Sequence, residues 1–558
     1  MSIKAVSDAT PGVVPYPAAA VAEYRAAGVW RNRSLPDELT SRFADFGDRP
    51  AVVTPETRWT YAELGARVDA FASGVLRATA LEPGDRVMFQ LGNVAETVVC
   101  YLGALRAGLV PVCTLAQHGP REIELLARHV GARGLFTQGD FGGGRLLPVA
   151  VDLLERGVVA VTVVVRGDEG GGTVGYRGII AAGDEPPTTP DVDLASVAVF
   201  QLSGGTTGLP KVAPRLHEEY TYNSRAWASA LGWSESTVVL YPLPLLHNAG
   251  IALALQPALL SGATLVLAPN ADIDVLLDLI ETERPTTLPL VPPAVAIRML
   301  DHPRTRSTDL TSIRQYVVGG QKLAGDVARR LLDEVHLPLR QMFGMAEGMF
   351  LVTDEDASEQ VVLDTVGRPI SPLDEVRVVD PISGEDAPVG DLGELWMRGP
   401  YTIRGYFRAP HHNTTAFSTD GYYRTGDLGR VHRIDGIDYF SVDGRIKDVI
   451  NRGVEKIHAE EVEELILEHP DVDNAAVVAM PDRVLGERAC AVLVMHPGKP
   501  PLTVESLAAH LAGQGLAKYK FPERVEIRTA LPLSNVGKVS RKTLREDVSR
   551  IVETEPGA

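Results

Sequence analysis

The chain has 558 residues, 45% hydrophobic and 23% charged, which fits a globular protein of about three or four lobes of ordinary domain size. Its 72 acidic and 54 basic residues leave a formal charge of −18, which argues against general binding to nucleic acid or an anionic membrane while allowing a local basic pocket. Cys100, Cys113 and Cys490 lie far apart and form no CxxC pair, so neither a disulfide framework nor a zinc site is expected.

The first residues, Met1–Pro17, lack the apolar core of a signal peptide. The apolar stretches Val98–Leu115 and Leu146–Val165 are interrupted by Arg106 and by Asp152, Glu155 and Arg156, too often for a membrane span. A reduced, cytoplasmic protein is expected. Short Val- and Ile-rich runs then recur: Arg86–Leu91, Ala160–Val165, Ala198–Gln201, Thr237–Tyr241, Thr264–Leu267, Thr287–Val291 and Gln315–Val318. Helical patterns such as Ile273–Glu283 and Ala324–Glu334 lie between them. Strand and helix in alternation predict layered α/β subdomains with largely parallel sheets. From about Val361 the pattern changes to strand-like segments with Gly turns: Glu375–Asp380, Gly393–Arg398, Gly429–Ile434 and Asp438–Val442. This is a β-rich subdomain. After Arg445 a helix Ala459–Glu468, strands Asn474–Met480 and Ala489–Met495, a helix Thr503–Leu511 and a strand Arg524–Ile527 predict a small α+β unit.

The most informative segment is Val199–Lys211. A short apolar strand runs into Ser203, Gly204, Gly205, Thr206, Thr207 and Gly208, and Lys211 follows. Glycines let backbone N–H groups turn towards an anion, the hydroxyls add donors, and the lysine adds charge. The segment reads as a phosphate cradle. It is not a Walker P-loop, because Leu209 stands where that pattern needs its second glycine and Pro210 directly precedes the lysine.

Ser203–Lys211 closely resembles the phosphate-binding signature of the adenylate-forming enzymes, which include acyl-CoA synthetases, nonribosomal peptide adenylation domains and luciferases. Gln201–Gly205, with Lys211–Arg215 and His217, is similar to the stand-alone aryl-acid–AMP ligases that start siderophore and related peptide assembly lines. Further segments carry the resemblance along the chain. Pro244–Asn248 looks like the place where the family sets a histidine, His247, beside the phosphates. In the aryl subgroup the next residue, Asn248, bonds the ortho-hydroxyl of the acid. Taken alone, this pair would read as a capped helix start. Val318–Leu323, with Gly319, Gly320, Gln321 and Lys322, resembles the turn used for adenine and for the floor of the acid pocket. Phe343, Gly344, Met345, Ala346, Glu347 and Gly348 are close to the fifth core motif, which makes Glu347 the expected ligand of Mg²⁺. Tyr423–Asp427 matches the ribose site, with Asp427 accepting from two hydroxyls. Asp443–Asp448 resembles the hinge, with Arg445 contacting the nucleotide and Lys447 at the pivot. Asn451–Ile457 resembles the pantetheine tunnel, where Gly453 is followed by Val454 in place of a second glycine. Leu531–Arg541 resembles the loop of the catalytic lysine, Lys538.

The resemblance implies an N-terminal core over residues 1–444, its β-rich part about 361–444, a hinge at 445–447 and a mobile C-terminal domain over 448–558. It implies ATP and Mg²⁺ as cofactors. An aryl acid would be converted to its adenylate and handed to a separate phosphopantetheinylated aryl carrier protein, or to coenzyme A. Free-standing action is expected because no carrier motif follows Lys538. In the acid pocket this chain departs from the catechol- and salicylate-activating pattern at Ala249, Leu253, Met342 and Phe350. Leu253 argues against a 3-hydroxyl, which would go unpaired there, while Asn248 argues for an ortho-hydroxyl. A salicylate-like acid is therefore expected, with 3-hydroxypicolinate, 3-hydroxyanthranilate or 3-hydroxyquinaldate as alternatives. A silent nucleotide-binding scaffold would be marked by loss of Lys538, Glu347 or Asp427, and all three are present.

Overall fold

The computed structural model describes residues 10–167, 169–183, 187, 192–203, 210–452, 455–482, 485–514, 516–533 and 539–554. Gly204, Gly205, Thr206, Thr207, Gly208, Gly453, Val454 and Lys538 lie outside them. The chain divides into two compact units, Met1–Val376 with Met397–Arg424, and Arg377–Trp396 with Thr425–Ala558. The segment 445–447 therefore falls inside the second unit. Antiparallel pairing of Asp427 with Arg445 joins it to the β-rich strands, a pairing between residues too far apart in sequence for local pattern to reveal.

Two sheets dominate the first unit. Among the described residues, one runs in the order Arg368–Pro369, Phe350–Val352, Leu339–Gly344, Gln315–Gly319, Thr287–Val291, Val238–Tyr241, Thr264–Leu267, Pro50–Thr54, Thr57–Thr60. Its central strands pair in parallel. The other runs Val174–Gly175, Val161–Val165, Ala132–Gln138, Arg86–Gln90, Val110–Val112, Val197–Ser203, Lys211–Leu216. It is parallel up to its last pair, which is antiparallel and puts Ser203 opposite Lys211. Apolar runs form these inner strands because both sheet faces are covered; Thr287–Val291 is buried throughout.

Helix Ile273–Glu283 shows how local chemistry sets the bounds. Asp272 caps it by accepting from the Val275 N–H at 3.3 Å. Ile273, Leu276, Leu277 and Ile280 are buried at helical spacing, and Arg284 ends it in the left-handed region at φ 47°.

Most residues of the β-rich sheet fall in the second unit; its strand order is Glu375–Val379, Gly393–Arg398, Tyr423–Gly429, Gly444–Arg445. A further sheet pairs Gly486–Met495 with Val472–Asp482, Val449–Arg452 and Arg524–Ile527. Helices Ala459–Leu467 and Val504–Gly513 contribute Val462, Ile466, Leu507 and Leu511 to its core. The expected layered α/β body and small α+β C-terminal part are both present. No helix among the described residues is long and apolar enough to cross a membrane.

Candidate functional site

Strand Leu339–Gly344 returns antiparallel as Phe350–Val352, so Met345–Met349 form the tip of a hairpin. The tip is tightly seated. Gly348 has φ +102°, and a Cβ there would lie 1.9 Å from the Tyr401 carbonyl oxygen, so no other residue fits. Tip residue Glu347 is 3% exposed. Its main-chain carbonyl accepts from the Ile403 N–H at 2.8 Å, and its carboxylate accepts from the Tyr406 hydroxyl. Tyr406 also bonds the Tyr423 hydroxyl at 2.9 Å, and Lys211 Nζ lies 5.0 Å from the Tyr406 ring. Burial pulls the Lys211 ammonium below its ordinary value, and Glu347 opposes that shift. The strand end that delivers Lys211 is thus electrically coupled to the hairpin tip that delivers Glu347. Tyr406 carried no sequence signal, because its role depends on contacts across 59 residues of chain.

A second group surrounds Asn248. Arg215 and Glu219 are fully buried and form a bidentate pair at 3.0 and 2.8 Å. Burial opposes the Arg215 charge, and Glu219 more than offsets it, holding the guanidinium above its ordinary value. Arg215 also donates to the carbonyls of Ala346 at 3.0 Å and Tyr401 at 3.1 Å, and to Asn223 Oδ1 at 3.1 Å. It ties strand Lys211–Leu216 and helix His217–Ala230 to the hairpin tip. Asn248 Oδ1 accepts from Tyr220 at 3.0 Å and lies 3.5 Å from Arg215 Nη1, while its Nδ2 donates to the Met345 carbonyl at 3.4 Å. His247 caps the helix that Asn248 begins, its Nδ1 accepting from the Ala249 N–H at 3.2 Å. The pair does start a capped helix, as it would read taken alone. His217 serves the fold instead: its Nδ1 accepts from the Leu35 N–H at 3.3 Å, and burial pulls it down to about 4.

Ala249, Leu253, Met342 and Phe350 lie in one hydrophobic cluster with Trp227. Phe350 meets Trp227 edge-on with centroids 5.6 Å apart. A Cβ on Gly344 would come 2.5 Å from the Phe350 ring, so that glycine lets the aromatic wall close. Gly319 pairs with Met342 at neighbouring strand ends, and Gly320, Gln321 and Lys322 follow it as an exposed turn.

In the second unit Asp427 is almost buried and meets Arg445 Nε at 2.7 Å. Lys447 immediately precedes Asp448, whose carboxylate accepts from Arg545 at 2.7 Å and from Arg541 at 3.4 Å. Arg541 also pairs with Glu460 at 2.9 Å and Glu463 at 2.5 Å. Burial pushes Glu463 up to about 7, against the pull of Arg541.

A family model described as AMP-binding enzyme matches residues 39–407, and one described as AMP-binding enzyme C-terminal domain matches residues 461–538. The chain belongs to the AMP-binding enzyme family. It is 38% identical to the 2,3-dihydroxybenzoate-AMP ligase of Bacillus subtilis over 551 residues, covering 96% of this chain and 98% of that one. It is 41% identical to a Streptomyces protein named salicylyl-CoA synthase / salicylate adenylyltransferase, with coverage of 96% and 98%. The apo structure of MbtA from Mycobacterium smegmatis matches with a TM-score of 0.72 at 36% identity, over 96% and 98% of the two chains. The likeness to AMP-binding enzymes thus extends along nearly the whole chain, as its motifs imply.

Proposed function

We propose that this AMP-binding enzyme uses ATP to convert an ortho-hydroxylated aryl carboxylic acid of the salicylate type to its acyl-adenylate, then passes the acyl group to a pantetheine thiol. The observation that carries the reading is the buried Asn248, beside His247 and bonded to the hairpin tip at Met345. An amide there suits a neutral oxygen next to the acid's carboxylate. Relatives named for 2,3-dihydroxybenzoate and salicylate support the same class of acid. A separate carrier protein in siderophore or related peptide assembly is the proposed acceptor. Coenzyme A is the second reading, favoured by the Streptomyces relative's name.

The chemistry follows from charge. Attack of a carboxylate on the α-phosphorus of ATP brings anions together, and the reaction needs positive charge where negative charge develops. Ser203–Lys211 and Lys538 supply donors and cations to the phosphates. His247 lies beside them, Asp427 accepts from the ribose, and Gly320–Lys322 and Phe343–Ala346 flank the adenine. Arg445 and Lys447 carry the hinge, with Gly453 and Val454 on the thioester tunnel. The donor fits Mg²⁺: Glu347 is a buried carboxylate fixed by Tyr406. A hard cation takes such a carboxylate oxygen together with phosphates and water. It would supply charge neutralisation at the phosphates.

The test is ATP–pyrophosphate exchange with benzoate, salicylate, 2,3-dihydroxybenzoate, 6-methylsalicylate, 3-hydroxypicolinate, 3-hydroxyanthranilate and 3-hydroxyquinaldate. Exchange with ortho-hydroxy acids, lost by about 10²-fold or more in Lys538→Ala, is expected. Exchange with benzoate alone would remove Asn248 from its role. Silence with the whole panel would overturn the aryl-acid reading.

A further inference from the structure

We infer that Tyr220 and Arg215 are positioning residues that lock the Asn248 amide with its oxygen inward, so that the acid pocket meets an N–H donor and selects an ortho substituent presenting a lone pair. The inference rests on the reading of the chain as an ortho-hydroxyaryl ligase and sharpens its specificity.

The two ends of the amide are fixed by groups that have no choice of role. Arg215 can only donate, and it lies 3.5 Å from Asn248 Oδ1. The Met345 carbonyl can only accept, and it faces Nδ2 at 3.4 Å. A flipped amide would set N–H against guanidinium and oxygen against carbonyl. Tyr220 adds the strongest contact, donating to Oδ1 at 3.0 Å. Its own oxygen accepts from Gln201 Nε2 at 2.9 Å, which frees the hydroxyl proton for Asn248. Tyr220 is wholly buried with Arg215 stacked 4.3 Å over its ring, so the relay is sealed from bulk solvent. With both Oδ1 lone pairs engaged and one N–H on Met345, the second N–H is what Asn248 has left to offer a ligand.

Salicylate and anthranilate differ in just this respect. In salicylate the phenolic proton closes onto the neighbouring carboxylate, leaving oxygen lone pairs outward. In anthranilate one amine N–H closes inward and the second points outward, directly at another donor. The two acids are nearly the same size, so the comparison isolates polarity.

The experiment is ATP–pyrophosphate exchange of the full chain and of Tyr220→Phe with salicylate, anthranilate and benzoate, read as kcat/KM. The wild-type protein is expected to favour salicylate over both others by about tenfold or more. Tyr220→Phe is expected to lower the salicylate-to-anthranilate ratio by about fivefold, mainly through the KM for salicylate, with benzoate within about twofold of wild type. A general structural defect would depress all three acids together. An unchanged ratio with benzoate activity intact would overturn the inference, as would a wild-type preference for anthranilate. Should Tyr220→Phe fail to fold, the wild-type ratio decides alone. Failure of the underlying functional reading looks different: no exchange with any of the three acids, which takes the inference down with it.

Discussion

The indole Nε1 of Trp227 donates to the main-chain carbonyl of Leu253 at 3.1 Å, inside the π-helical turn Ile251–Leu255. The reason lies four residues further on. Pro257 has no N–H to return to that carbonyl, so the α-helical ladder cannot close there. The backbone widens into a π turn, and the indole gives that buried oxygen a hydrogen bond. Leu253 is held at its buried position by this bond as well as by packing.

Trp227→Phe keeps most of the apolar volume and removes the donor. Loss of this buried hydrogen bond costs about 1 kcal/mol. Urea unfolding is expected to shift by that amount, and the KM for the aryl acid to rise while the KM for ATP holds. Equal changes in both KM values would show that the π turn does not border the acid.

Leu253→Ser tests the departure from the catechol pattern. Leucine offers no partner to a 3-hydroxyl, whereas serine both donates and accepts. The ratio of kcat/KM for 2,3-dihydroxybenzoate to that for salicylate is expected to rise by about tenfold, the value of one buried hydrogen bond gained. A fall in both with no change of ratio would assign Leu253 to packing alone.

Tyr406 offers a third test, through the carboxylate it holds. Removing the partner that orients a metal-binding carboxylate typically costs about 10–100-fold in metal affinity. Tyr406→Phe is therefore expected to raise the Mg²⁺ concentration for half-maximal exchange by about tenfold. Glu347→Gln should raise it further. A Mg²⁺ dependence unchanged in both variants would free Glu347 from the metal.

These positions differ in how far the sequence exposes them. Helix Ile273–Glu283 is legible to the residue, because its cap, its apolar spacing and its end at Arg284 are all local. The inner strands are legible as apolar runs. The hairpin tip is not: its return strand, Phe350–Val352, is too short to display a period of two. Nor does the sequence disclose what Arg215 holds, since its partners come from four separate segments. Motifs mark where chemistry is concentrated. Tertiary hydrogen bonds decide which way each group faces.

Asp374 carries the last prediction, on stability against pH. Its Oδ2 accepts from the Tyr401 hydroxyl at 2.5 Å and from the Ser371 N–H at 3.2 Å, and its enclosed Oδ1 has no hydrogen-bond partner. Burial pushes the carboxyl up to about 8, against the pull of those two donors. An unfolded chain gives up this proton near pH 4, whereas the folded chain keeps it to about pH 8. The contribution to stability is therefore complete in acid and is lost as pH climbs through that window. Asp374→Asn imitates the protonated form at every pH. Its melting temperature is expected to match wild type near pH 4 and below and to exceed it by about 2 °C or more at pH 9. Because other titrating groups act on both proteins alike, the difference between the two curves isolates this carboxyl. A difference that does not grow with pH would mean that Asp374 is ionised in the folded protein and that the Tyr401 hydroxyl, itself bonded to the Phe350 N–H at 3.3 Å, stabilises the charge.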